Sequence, residues 1–121
     1  MAVFFHLVPM VFRPPGLYRH FMEEAMATFI NLVSFTDQGI RNVKESPERF
    51  KAFKAMAEKL GLTVKSAYWT MGKYDLVLIV EGSEEAAMTA LLKTGSLGNV
   101  RTQTMHAFSL DDIAKIIAKM P

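Results

Sequence analysis

The chain has 121 residues, half of them hydrophobic, with 14 basic and 12 acidic side chains and a net charge of +2. That length suits one domain, and the charge arises from a small imbalance with no block of Lys and Arg, so it points to no nucleic-acid partner. There are no cysteines, which excludes disulfides, thiol catalysis and thiolate metal sites, and no run approaches the roughly 20 apolar residues that cross a bilayer.

Residues 1–25 are unlike the rest. Pro9, Pro14 and Pro15 interrupt them, and no period of 2 or 3.6 persists. The apolar stretch from Ala2 to Phe12 is followed by Arg13 and Arg19 instead of being preceded by a basic segment, the reverse of a secretory signal; a cytoplasmic location is expected. Met26 is read as the natural start, because Met22-Glu23-Glu24-Ala25-Met26 can be encoded by a stretch with GGAGG shortly before an ATG. The rival reading is an N-terminal arm that packs on a neighbouring subunit. Residues 26–121 are then the domain.

Ala27–Phe35 (ATFINLVSF) is β-rich, with Phe29, Val33 and Phe35 on one parity and Ile30 and Leu32 on the other, as in a central strand covered on both faces. Thr36-Asp37-Gln38-Gly39 is a turn cluster opening a polar loop to Glu45. Ser46 is the expected N-cap of a helix with Pro47 at N1. The apolar stripe of this helix is Phe50, Phe53, Ala57 and Leu60, flanked by Met56, and Gly61 closes it.

Leu62–Met71 and Asp75–Glu81 read as a hairpin around Gly72-Lys73. Met71 then opposes Tyr74, Thr70 opposes Asp75 and Tyr68 opposes Val77. Tyr68, Thr70, Asp75, Val77 and Ile79 share one face; Trp69, Leu76, Leu78 and Val80 share the other. Ser83, with Glu84 and Glu85 behind it, caps a second helix that Gly95 is expected to end. Asn99–Phe108 is a fourth strand, and Ser109 with Asp112 forms a capping box before a short helix whose apolar side is Ile113, Ile116, Ile117 and Met120.

The order from Ala27 is β-α-β-β-α-β plus a C-terminal helix. It predicts an α+β, ferredoxin-like domain with an antiparallel sheet in the order 4-1-3-2 and both main helices on one face. The first and third strands are apolar on both parities, so the other face needs a cover. The simplest is a second sheet in a two-fold homodimer, two sheets packed as a dimeric α/β barrel.

Three segments, Thr36-Asp37-Gln38-Gly39, Lys44-Glu45-Ser46-Pro47 and Gly72-Lys73-Tyr74-Asp75, resemble those of the GYD domain family of small bacterial and archaeal proteins. Gly-Lys-Tyr-Asp departs by one residue from the Gly-Tyr-Asp that gives the family its name. The resemblance covers about Met26 to Phe108 and implies a ferredoxin-like, dimeric α/β-barrel fold. It supplies no mechanism, since the family has no established biochemical function. The wider structural class holds monooxygenases, isomerases and small-molecule sensors, and a fold shared so broadly does not name a reaction.

Four residues are candidate ligand groups. Asp75 can polarise a small ligand or, in the structural reading, bond backbone N–H groups at the turn. Tyr68 stands near it across the hairpin. Tyr74 can bind a ligand or pack its ring on the next strand with its hydroxyl at the rim. His106, sharing a parity with Val100, Thr102, Thr104 and Phe108, can act as acid or base or be an ordinary strand histidine. Asp37, Gln38, Gly39 and Gly72 are assigned to turns. With His6 and His20 in the N-terminal stretch, His106 leaves no multi-histidine metal site within a subunit, and no metal or cofactor is expected. Lys44, Lys73 and Arg101 read as a solvated surface. The preferred function is a homo-oligomeric small-molecule-binding protein. The alternatives are a small cofactor-independent enzyme of monooxygenase or isomerase type, with Tyr68, Asp75 and His106 converging on one cavity, or a structural oligomer without ligand.

Overall fold

The computed structural model describes residues 26–121; the readings made for residues 1–25 lie outside them. The elements are β1 (Ala27–Phe35), α1 (Asp37–Arg41), a 3-10 turn (Val43–Glu45), α2 (Ser46–Lys59), β2 (Thr63–Trp69), β3 (Leu76–Gly82), α3 (Glu84–Ser96), β4 (Val100–Ala107) and α4 (Leu110–Ala118). The four strands form one sheet in the order β2-β3-β1-β4, with every neighbouring pair antiparallel. This is the ferredoxin-like arrangement expected from the element order.

The strand period places the core. On the odd positions of β1, Phe29, Asn31 and Val33 are buried, and on β3 the buried positions are Leu76, Leu78 and Val80. These residues pair across the two strands and pack with Ala57 and Phe53 of α2 and Ala87 and Ala90 of α3. Each large apolar side chain fully buried there contributes about 1.5–3 kcal/mol. The opposite face carries Ile30, Leu32, Val77 and Ile79, all half-buried, and among the described residues no helix packs on it.

Several local readings need correction. The polar loop after β1 is helical, because the Thr36 hydroxyl accepts from the Gly39 N–H and starts α1. Ser46 is not an N-cap: the 3-10 turn runs straight into α2, so Ser46 is itself helical, and its hydroxyl oxygen accepts from the Trp69 indole at 2.9 Å. Gly95 lies inside α3, and the positive-φ residue after that helix is Gly98, at φ 85°. Gly61, at φ 89°, closes α2 as expected. The hairpin register is as read, with Tyr68 opposite Val77 and Trp69 opposite Leu76, but a bulge between Val64 and Ser66 shifts it by one residue nearer the start of β2. Ser83 caps α3 through the Ala86 N–H, and both hydrogen bonds of the Ser109–Asp112 capping box are made.

Candidate functional site

The family-like segments meet at one end of the sheet, where β1 ends and β3 and β4 begin. Thr36 donates its hydroxyl to the Gly98 carbonyl at 2.6 Å, and its N–H bonds the Asn99 carbonyl. Gln38 donates its amide to the Leu97 carbonyl and the Asn99 side chain. Gly39 is buried so close to Asn99 that a Cβ there would overlap the Asn99 carbonyl oxygen. The turn assignment of Gln38 and Gly39 thus becomes a clamp that fixes the loop entering β4. Arg49 completes it by donating to the Asn42 and Gly39 carbonyls.

Asp75 belongs to the same end. Its Oδ2 accepts from the Phe35 N–H at 2.8 Å, its own N–H bonds the Val33 carbonyl, and its carbonyl accepts from the Thr70 N–H. The carboxylate therefore joins the hairpin to the last residue of β1, two strands' ends held by one side chain. The Thr70 hydroxyl donates to the Tyr74 carbonyl at 2.6 Å. The Tyr74 hydroxyl donates to the Gln103 side-chain oxygen on β4 at 2.8 Å. Tyr68 is on the uncovered face, 64% exposed.

His106 lies elsewhere. It pairs with Phe29, which puts it on the helix-covered face at the far end of the sheet. Its ring stacks on Phe108, with centroids 4.7 Å apart, and its Nδ1 is 3.8 Å from a Glu84 carboxylate oxygen. It lines an open cleft of about 550 Å³ between the start of β1, the end of β4 and α4, with Glu81, Glu84, Asp112 and Lys115. Asp112 is held below the usual carboxylate value, chiefly because it accepts the Ser109 N–H and then the Ser109 hydroxyl. Tyr68 and Asp75 do not reach this cleft, and none of the described cavities brings the three together. Among the described residues no group of three or more His, Asp or Glu side chains is arranged to hold a metal ion, and no helix is long and apolar enough to cross a membrane.

A residue absent from the sequence-based candidates is Asn31. It is 3% exposed in the middle of β1 and shares its face with Phe29 and Val33. Its Oδ1 accepts the Thr104 hydroxyl at 2.8 Å; among the described residues its amide nitrogen has no partner. A buried amide left half-paired costs about 1–3 kcal/mol. The signal in the sequence is an asparagine at a core parity of an otherwise apolar strand.

The other unusual surface is α4. Leu110, Ile113, Ile116, Ile117 and Met120 are exposed, from 39% at Ile113 to 82% at Leu110, and among the described elements none packs extensively on this helix. Its ends are well formed, so the exposed stripe belongs to an ordered helix.

Comparison with known proteins brings two findings. The sequence pattern of the GYD domain matches residues 29–117. A protein of Thermus thermophilus named glutamine synthetase and cystathionine beta-lyase binding protein is 36% identical over 90 residues, covering 73% of this chain and 95% of that protein.

Proposed function

The chain belongs to the GYD domain family, and from that membership we propose that it is a binding protein, working as a homo-oligomer, whose partner is another protein. The observation that carries this reading is α4. A capped helix of nine residues with its isoleucines turned to water gains stability only when something covers that stripe, as monomers seldom leave such patches open. The name of the Thermus relative supports an enzyme as the partner, glutamine synthetase or cystathionine beta-lyase being the first to test. The uncovered sheet face, with Ile30, Leu32, Val77 and Ile79, supports self-association of two copies through their sheets. The enzymatic alternative draws on Tyr68, Asp75 and His106 and gains no support from their placement on different faces.

Purified chain immobilised on a biosensor, with each of the two enzymes from the same organism passed over it, tests the partner. Saturable binding to one of them, lost in the double variant Ile116→Lys and Ile117→Lys, is expected. Light scattering reads the assembly: a dimer or larger is expected. A stable monomer that binds neither enzyme overturns the reading.

A further inference from the structure

Between the helices and the sheet, at the end where the family-like segments meet, lies a small cavity of about 70 Å³. Its walls include Val33 and Leu78 from the sheet, Phe50 and Phe53 from α2 and Leu91 from α3, and Asn31 is set among them. We propose that this cavity is a binding site for a small uncharged molecule, apolar except for one carbonyl-type acceptor that takes the free Asn31 amide. The inference is independent of the protein-partner reading and stands or falls without it.

Size and chemistry together define the occupant. One water needs only about 10–15 Å³ of such space, and a buried water needs two to four polar partners. The cavity has room for several waters, but its few polar groups cannot hold them all. The Ser46 hydroxyl oxygen already accepts from the Trp69 indole. The Arg49 guanidinium is spent on the Asn42 and Gly39 carbonyls and lies over the Phe35 ring. That leaves Asn31, with Thr94 and the exposed Thr102 as the remaining polar lining. Arg49 already has the Glu45 carboxylate 4.0 Å away as its counter-charge, so an anion in the cavity gains little there and loses its hydration. An apolar body with a single acceptor satisfies the amide and fills the rest. If the amide is turned over, Thr104 would receive its N–H, and the oxygen would face the cavity and select a donor instead; the test separates these.

The test is a titration of the full, 15N-labelled chain with cyclopentanone, followed by amide shifts. Saturable shifts are expected at the Asn31 side-chain NH2 and at the backbone amides of Leu78, Leu91 and Thr102, with cyclopentane binding at least tenfold more weakly. Asn31→Leu should raise Kd at least tenfold. Leu91→Phe, which fills the cavity and leaves the amide in place, should abolish binding and provides the answer if the first variant fails to fold. Tighter binding of cyclopentanol than of cyclopentanone, shifts spread over the surface without saturation, or a ketone-soaked crystal showing only ordered water on Asn31 would each overturn the proposal.

Discussion

The two ends of the sheet are built differently. At the hairpin end, Thr36, Gln38, Arg49 and Asp75 each bond a backbone group on another segment, and the space they enclose is small and apolar. At the other end, His106, Glu84, Asp112 and Lys115 stand around a wide cleft, and the helix that follows is attached loosely. A side chain whose polar atoms are committed to backbone partners is a fastener; a surface left uncommitted is available to a partner. The segments that name the family are therefore mostly fasteners, and binding capacity lies beside them, in the cavity they wall, and away from them, on α4.

The strongest challenge to that contrast is Gly39→Ala. The added methyl meets backbone, the Asn99 carbonyl, which cannot rotate away, so α1 or the loop entering β4 must move. A loss of about 3 kcal/mol is expected, at the upper end for overpacking, read as a lowered urea midpoint. A loss under about 1 kcal/mol would show that the clamp is soft. Next in size is Asp75→Ala, which strips the Phe35 N–H of its acceptor in a half-buried position. Hydrogen bonds to charged groups are worth about 1.5–3 kcal/mol, and a fall within that range is expected. Unchanged stability with lost small-molecule binding would return Asp75 to the role of a ligand group.

The fold was legible because period and punctuation agree along the chain. The unbroken apolar run Leu76–Val80, the stripe of α2 and the caps at Ser83 and Ser109 each demand the element that forms. The sheet order followed from the β-α-β-β-α-β sequence of elements, and the hairpin register supplied the pairing of β2 with β3. What escaped were features set by contacts between distant segments. Ser46 has the composition of an N-cap, but the 3-10 turn before it supplies the helix entry and frees its hydroxyl for Trp69, 23 positions away. Asp75 read as a ligand group or a turn residue, and the partner of its carboxylate, Phe35, lies 40 positions earlier. Asn31 passed as one polar residue in an apolar strand; only the packing of both helices over it makes its amide a question.

The double variant Ile116→Lys and Ile117→Lys bears on the looser end. Both residues are exposed, at 45% and 56%, so monomer stability should change by under about 0.5 kcal/mol while partner binding is lost. A large fall in stability would mean that α4 is already covered by a second copy in solution, and the urea midpoint would then depend on protein concentration.

The smallest effect expected concerns acid. Asp112 titrates below its ordinary 3.8 because the charged form accepts the Ser109 N–H and hydroxyl, with lesser help from Lys115 and His106. A carboxylate whose folded value is depressed contributes stability that is present above the unfolded value and disappears as pH falls through the folded one. The first turn of α4 should therefore loosen only below pH 3.8, seen as faster exchange and a shift of the Ser109 amide. The bonds of Thr36 and Gln38 to Gly98, Leu97 and Asn99 contain no titratable group and serve as the internal reference. Asp112→Asn keeps an acceptor in place but removes the charge, so the amide shift should lose its dependence on pH. If the Thr36 and Gln38 amides move together with Ser109, the two ends unfold as one unit and the division between them fails.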